Sequence, residues 1–142
     1  MVTTLLAALC LMALCVVIHA VGVTSAIGRI QLRAEFARRF WQSTWLLILL
    51  ASWIILIHLV EISVWAGFYA LSKAMPDLSS ALYFSAVTYT TTGYGDLVLP
   101  RDWRLVGGIE ALTGILMCSW STGFFVAVVS RLHQPQSRTI SA

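Results

Sequence analysis

Three long apolar runs, separated by polar segments, dominate the pattern of the chain. The first begins at Val2 and is almost uninterrupted, and two further runs follow in the middle and near the end of the chain. A transmembrane helix needs about 20 consecutive, predominantly apolar residues. Each run meets that length, so the pattern predicts an N-terminal transmembrane helix over 1–28, an outer helix over 44–72 and an inner helix over 104–130.

A shorter apolar stretch lies between the second and third runs. Pro76 and Asp77 predict a helix start, because proline suits the first turn and an acid suits the positive end of the helix dipole. The helix predicted over 77–88 would be about 18 Å long, too short to cross a membrane. Glycine-containing backbone follows at 90–96. The pattern therefore predicts a re-entrant helix and loop, which must be buried in protein or line a polar cavity.

The composition agrees with a membrane protein and excludes a soluble domain. Hydrophobic residues make up 59% of the chain and charged residues 11%, and the mean hydropathy is +0.87. Such values are typical of integral membrane proteins. Cys10, Cys15 and Cys118 lie inside apolar runs, where free cysteine packs as a small hydrophobe. The basic residues are few and lie beside the spans, so nucleic acid is not an expected partner.

Basic residues gather in the segment 29–42, between the first two spans. Four arginines in this segment are opposed by a single acid and alternate with apolar side chains. The pattern predicts either a basic amphipathic helix at the lipid headgroups or a plain connecting loop, in both cases in the cytoplasm. By the positive-inside rule, the N-terminus then lies outside and the tail 132–142 is cytoplasmic. We expect a multi-pass protein of the plasma membrane.

Residues 90–96 carry the most distinctive local pattern, Thr-Thr-Thr-Gly-Tyr-Gly-Asp. Two glycines flank one tyrosine, so the backbone can adopt conformations that other residues avoid. Carbonyl groups in such backbone need partners outside their own segment, and a ring of them can replace the water shell of a cation. A simple glycine turn is the alternative. The neighbouring threonines, the following acid and the two flanking spans favour the cation site.

The run 91–96 resembles the selectivity filter of potassium channels, whose usual form is Thr-Val-Gly-Tyr-Gly-Asp. The resemblance covers a helix–filter–helix arrangement from about Trp53 to Arg131. Thr92 departs from the family pattern, because valine or isoleucine is usual at that position. Its carbonyl can still face an ion, whereas its hydroxyl is expected behind the filter, where it could alter filter stability.

The resemblance implies an all-α membrane protein with three transmembrane helices, a re-entrant pore helix and a filter, assembled as a homotetramer around a pore domain over 43–131. It implies no cofactor other than the permeant K⁺, no small-molecule substrate, and lipids as partners beside the other copies. Backbone carbonyls and the first hydroxyl would hold K⁺ in a filter made of Thr91, Thr92, Gly93, Tyr94 and Gly95. Thr90 and Asp96 would support the filter and its outer mouth.

Two acids lie inside predicted spans, where ionisable side chains are costly and usually face the protein interior. Many potassium channels place an acid in the pore helix at the position of Val87, so support for the filter must come from elsewhere here. Glu61 and Glu110 are the candidates. The alternatives are a structural hydrogen bond from Glu61 to His58 or to neighbouring backbone, and an interfacial place for Glu110 near Arg104.

Four further residues are expected to have structural or cavity-lining roles. Gly114 is a possible hinge of the inner helix, and a tight helix contact is the alternative. If Gly114 matches the hinge position of the family, Cys118 and Thr122 would line the cavity of the channel on the inner side of the filter. His19 is expected to be a buried or interfacial polar residue, because no second ligand lies near it along the chain.

Aromatic residues lie on both sides of the polar turn after the second span. Trp65, Phe68 and Tyr69 are predicted to form an aromatic belt at the outer membrane surface. Tyr83 and Phe84, in the short helix, are expected to pack around the filter. Both predictions concern the outer half of the protein.

The sequence thus predicts a potassium-selective channel that conducts K⁺ passively through a homotetrameric pore. No span repeats arginine every third residue, so the usual voltage sensor is not expected. A weakly selective cation channel and a non-conducting sensor or accessory subunit are the alternatives. An enzyme is not expected, because the three histidines are scattered along the chain and no nucleophiles cluster.

Overall fold

The computed structural model describes residues 2–34 and 40–133. Over these residues the chain is helical, apart from turns and one loop, and contains no strand. Three helices are long and one is short. In chain order the helices are α1 (Val2–Ala34), α2 (Phe40–Leu71), α3 (Leu78–Tyr89) and α4 (Arg104–His133), and one 3₁₀ turn (Arg101–Trp103) precedes α4.

Three helices are long and apolar enough to cross a membrane. The candidate spans are Val2–Ala26, Trp41–Leu71 and Arg101–Arg131. The predicted all-helical membrane protein with three crossing helices is therefore confirmed. The twelve residues of α3 are too few to cross, as the sequence predicts.

The helix ends differ from the predicted ends around the basic segment 29–42. α1 continues to Ala34, and α2 begins at Phe40. Within the described residues, the expected linker is thus the end of one helix and the start of the next. Residues 35–39, the centre of the linker, and residues 134–142, most of the tail, lie outside the described residues. The amphipathic linker and the cytoplasmic tail therefore stay predictions.

Asp77 is the N-cap of α3, with extended backbone at φ −152° and ψ 167°. Its carboxylate accepts a hydrogen bond from the Ser80 amide at 2.8 Å and one from the Ser80 hydroxyl at 2.9 Å. The backbone hydrogen bond from Ser80 lowers the pKa of Asp77 below its usual range. Pro76 precedes this cap instead of occupying the first turn.

α1 packs along α2 and α4. Near one end, Cys15 shares a buried cluster with Trp65, whereas at the other end Ala26 shares a second cluster with Leu50. The two helices therefore run antiparallel. Gly22 lies at their close approach, where the Trp53 indole donates to the Gly22 carbonyl at 2.9 Å.

α3 lies against both α2 and α4. The Phe84 ring meets the Tyr69 ring edge-on, with centroids 5.4 Å apart. Trp65 and Tyr69 are fully buried in the same cluster as Phe84. The predicted outer aromatic belt is therefore wrong for these two residues, because their face of α2 is covered by protein.

Candidate functional site

The segment that follows α3 has an alternating backbone. Thr91, Gly93 and Gly95 have φ of 58°, 55° and 77°, whereas the residues between them do not have positive φ. Alternation between left- and right-handed conformations turns successive amide groups to one side and carbonyl groups to the other. Glycine adopts such φ without steric cost. For Thr91 the same φ costs on the order of 1–3 kcal/mol, a kind of strain that clusters at functional sites.

The amides of this segment are tied to the last turn of α3. The Thr92 amide donates to the Val87 carbonyl at 3.0 Å, and the Gly93 amide donates to the same oxygen at 3.3 Å. Within 2–34 and 40–133, no hydrogen bond reaches the carbonyls of residues 91–94. The segment is thus held to α3 through its amide groups, whereas its carbonyl oxygens accept no hydrogen bond within the described residues.

The anchored segment is exposed in the single chain. Every residue from 90 to 96 is exposed, and Tyr94 keeps 71% of its surface accessible. Polar backbone in a membrane must be covered by protein or line a polar cavity. One copy of the chain does not cover this segment.

The threonine hydroxyls connect the segment to α3. The Thr90 hydroxyl donates to the Ala86 carbonyl at 2.7 Å. The Thr92 hydroxyl lies 2.9 Å from the Thr90 hydroxyl. Thr92, the residue that departs from the family pattern, therefore has a polar partner beside the end of α3.

Asp96 is held by Tyr83 at the end of the segment. The Tyr83 hydroxyl donates to Asp96 Oδ2 at 2.6 Å, and the Leu97 amide donates to Oδ1 at 3.0 Å. The hydrogen bond from Tyr83 lowers the pKa of Asp96, and it raises the pKa of the Tyr83 phenol. Tyr83 was expected near the filter, but its hydrogen bond to Asp96 was not predicted. A phenol at a position thirteen residues before an acid carries no recognisable spacing signal.

Glu110 lies in a fully buried polar contact between α2, α3 and α4. Its carboxylate accepts from the Ser85 hydroxyl at 2.5 Å and from the Tyr69 hydroxyl at 2.7 Å. The alternative interfacial position near Arg104 is wrong, because Glu110 is not exposed and the Arg104 side chain points to the Leu99 carbonyl. Glu110 thus holds the middle of α3.

Glu61 contacts the C-terminal end of α3. Tyr89, the last residue of α3, donates its hydroxyl hydrogen to Glu61 Oε2. His19 Nδ1 lies 3.0 Å from Glu61 Oε1, and His58 Nδ1 lies 3.3 Å from Oε2. The hydrogen-bond partners predicted for Glu61 included His58 but not His19. The prediction that His19 is a buried polar residue is confirmed. The second ligand atoms that are missing near it along the chain come from residues far apart in sequence, which packing of α1 on α2 brings together.

Of the three residues predicted for α4, Gly114 packs against the end of α3. A Cβ built on Gly114 would lie 1.9 Å from the Tyr89 carbonyl oxygen, so the glycine permits close packing of α4 on the end of α3. Cys118 and Thr122 are exposed and stand one turn apart. The Thr122 hydroxyl donates to the Cys118 carbonyl at 2.8 Å. The hinge and the cavity lining stay predictions.

The described residues therefore form a three-span membrane protein in which a short helix and an exposed glycine-containing segment connect the last two spans. The family model described as "Ion channel" matches residues 44–131, more than half of the chain. The chain belongs to this family, the two-transmembrane ion-channel module of the potassium-channel family. α1 precedes the matched residues.

One curated relative is an uncharacterised membrane protein, YdjJ, of Bacillus subtilis (strain 168). It is 35% identical over 68 residues, which cover 46% of this chain and 20% of the relative. The chain thus spans a fifth of the length of that relative. No solved structure matches the chain.

Proposed function

We propose that the protein is a potassium-selective channel that conducts K⁺ passively through a homotetrameric pore. The observation that carries the proposal is the segment 91–95, which lies between two candidate spans and has positive φ at every second residue. Within the described residues, no hydrogen bond reaches the carbonyls of residues 91–94. A dehydrated cation is stabilised by such carbonyl oxygens. Membership of an ion-channel family supports the same assignment.

The chemistry of the segment supports a homotetramer. One chain supplies one strand of carbonyls, whereas a cation stripped of water needs oxygens on all sides. Closed rotational symmetry places identical strands around one axis. Four copies would also cover the segment 90–96, which a single chain leaves exposed.

K⁺ would pass along the carbonyls of Thr91, Thr92, Gly93 and Tyr94. Several adjacent sites allow ions to repel one another onward, so binding does not block flow. Asp96, held ionised by Tyr83, would attract cations at the outer mouth. Cys118 and Thr122 would line the inner cavity, with Gly114 as the possible hinge.

Glu61 and Glu110 would support the filter through α3. Glu110 bonds to Ser85 in the middle of the helix, and Glu61 bonds to Tyr89 at its end. They would take the place of the pore-helix acid that is absent at Val87. In the plasma membrane, the positive-inside rule places the filter and the N-terminus on the outer side.

Flux through purified protein in liposomes tests the proposal. We expect valinomycin-independent K⁺ or Rb⁺ uptake that barium blocks and that Gly93→Ala lowers by at least about tenfold, because alanine disfavours the φ of 55°. The control is Gly67→Ala, since a Cβ at Gly67 meets no atom within 4 Å. Equal flux in both variants, or a monomer in lipid, would contradict the proposal.

Selectivity is measured in the same liposomes. A reversal potential that follows the K⁺ gradient and ignores the Na⁺ gradient supports K⁺ selectivity. A reversal potential that follows both gradients would assign the weakly selective cation channel instead, which the unusual Thr92 motivates. The absence of any flux from intact tetramers would assign the non-conducting subunit.

A further inference from the structure

Five side chains form a closed ring of polar contacts where α1 meets the channel module. His19 Nδ1 contacts Glu61 Oε1 at 3.0 Å, and Tyr89 bonds to the other oxygen of Glu61. His58 Nδ1 lies 3.1 Å from the Tyr89 hydroxyl. Ser121 closes the ring, with its hydroxyl 3.1 Å from Nε2 of each imidazole. The ring therefore joins all four helices.

The ring lacks one hydrogen when Glu61 is ionised and both imidazoles are neutral. The hydroxyls of Tyr89 and Ser121 carry one hydrogen each, and so does each imidazole, whichever tautomer is present. Four hydrogens must then serve five contacts. The buried carboxylate also lacks a cationic partner, and an unpaired charge in such a place is costly. An added cation satisfies both needs.

The geometry of the ligand atoms suits a small metal ion. One ligand atom each from His19, His58 and Glu61 lie within 4.8 Å of one another. His19 Nδ1 lies 3.0 Å from Glu61 Oε1, and His58 Nδ1 lies 3.3 Å from the other oxygen, Oε2. Ligands of a tetrahedral Zn²⁺ site, about 2.0–2.1 Å from the metal, are separated by about 3.3 Å. Imidazole nitrogens favour Zn²⁺ over Mg²⁺ or Ca²⁺, which prefer oxygen.

Ser121 supplies the outer contacts that such a site requires. A metal-bound imidazole commonly donates its other ring N–H to a nearby acceptor, and this fixes the ring orientation. Ser121 lies within hydrogen-bond distance of the second nitrogen of both imidazoles. Its oxygen can accept from both rings. The hydroxyl oxygen of Tyr89 is then available for the fourth position.

We propose that His19, His58 and Glu61 bind a divalent transition-metal ion of the Zn²⁺ type, which ties α1 to the channel module beside the end of α3. His19 lies outside residues 44–131, the part matched by the ion-channel family. The site thus depends on a helix that the family module does not include. His19 and Glu61 are fully buried, whereas the His58 side chain is 15% exposed.

Metal content of the purified full chain, without a histidine tag, tests this site. After chelation, incubation with Zn²⁺ and desalting, we expect one Zn²⁺ per chain by mass spectrometry. His19→Gln and His58→Gln should each weaken Zn²⁺ binding by at least about tenfold, and Ser121→Ala by about tenfold. His133→Gln is the control, since it removes the remaining histidine, and it should bind as the wild type does.

X-ray absorption of the Zn²⁺-loaded wild type keeps the test independent of how the variants fold. Two imidazoles and oxygen in the first coordination sphere are expected, together with a Zn²⁺-dependent rise in melting temperature. A sulfur ligand would move the ion to a cysteine and overturn the site. Wild type that retains no Zn²⁺ would overturn it too. Neither readout requires ion flux.

Discussion

Gly114 faces the carbonyl oxygen of Tyr89 so closely that an ideal Cβ would lie 1.9 Å from it. The obstructing atom belongs to backbone, which cannot move aside as a side chain can. Gly114→Ala should therefore separate α4 from the end of α3 and destabilise the protein by on the order of 3 kcal/mol. Thermal unfolding in detergent measures this loss.

The matched control for Gly114 lies in α2. Gly67→Ala adds the same methyl group where no atom lies within 4 Å, so its melting temperature should equal or exceed that of the wild type. Equal melting temperatures for Gly114→Ala and Gly67→Ala would show that the close approach does not limit packing. If Gly114 is also a hinge, Gly114→Ala would alter gating in the fraction that folds.

Tyr83→Phe should destabilise the protein at neutral pH and make its stability depend less on pH in the acid range. In the folded state the Tyr83 hydrogen bond lowers the pKa of Asp96. A carboxyl whose pKa is lowered in the folded state stabilises the protein above the ordinary aspartate pKa of about 3.9. This stabilisation is lost as the pH falls through the pKa of the folded state. The wild type should therefore melt above Tyr83→Phe at neutral pH, and the difference should vanish in acid.

Flux gives a second readout of the same bond. Without the Tyr83 hydroxyl, Asp96 should become protonated at a higher pH, so K⁺ flux should decline at a higher external pH in Tyr83→Phe than in the wild type. Tyr83→Trp is the control, because the indole N–H restores a donor. Identical pH profiles for Tyr83→Phe and wild type would mean that Asp96 is not held by this bond.

The sequence predicted the structural features that depend on a local pattern of residues. Apolar runs predicted the three spans, and their lengths separated them from the short α3, because membrane thickness sets the length of a crossing helix. The pattern of glycines at 93 and 95 predicted irregular backbone, and both have positive φ. The acid of Asp77 predicted the start of α3, although Pro76 proved to lie before the cap.

Contacts between distant helices could not be predicted from spacing. Tyr83 reaches Asp96 through the turn after α3, and His19 reaches Glu61 across forty-two positions of sequence. Such pairs depend on how the helices rotate about their axes. Apolar side chains surround α2, so only its two ionisable residues, His58 and Glu61, mark a face for the core. Trp65 and Tyr69 lie four and eight residues after Glu61, on that same face, so their burial could have been predicted from it.

Glu110→Gln should destabilise the protein by about 1–3 kcal/mol. The Tyr69 hydroxyl donates to one carboxylate oxygen, and the Ser85 hydroxyl lies 2.5 Å from the other oxygen and 2.9 Å from the Ile62 carbonyl. An amide nitrogen facing Ser85 can donate to that hydroxyl, but its second N–H is then buried with no acceptor among these contacts. Asp102→Asn changes an exposed acid just before α4 and should leave the melting temperature unchanged. Single-channel recording adds the functional test, since a weakened α3 should shorten openings.

Glu61→Gln is compared in the same recordings. Glu61 meets α3 at Tyr89, next to the segment 90–96, so its loss should disturb openings as Glu110→Gln does. If gating were unchanged in both variants, support of the filter by these acids would be wrong. A change in only one of them would assign the support to that residue.

Thr92→Val should alter the lifetime of the conducting state without abolishing K⁺ selectivity. The substitution removes the hydroxyl that lies 2.9 Å from the Thr90 hydroxyl, a contact worth about 0.5–1.5 kcal/mol. It leaves the backbone carbonyl that would hold the ion, and valine has nearly the same shape as threonine. Single-channel dwell times measure the first effect, and reversal potentials in K⁺ and Na⁺ gradients measure the second. Ser119→Ala is the control, because the Ser119 hydroxyl bonds only within α4, to the Ile115 carbonyl. Dwell times that match the wild type in Thr92→Val would show that the hydroxyl pair does not hold the segment against α3.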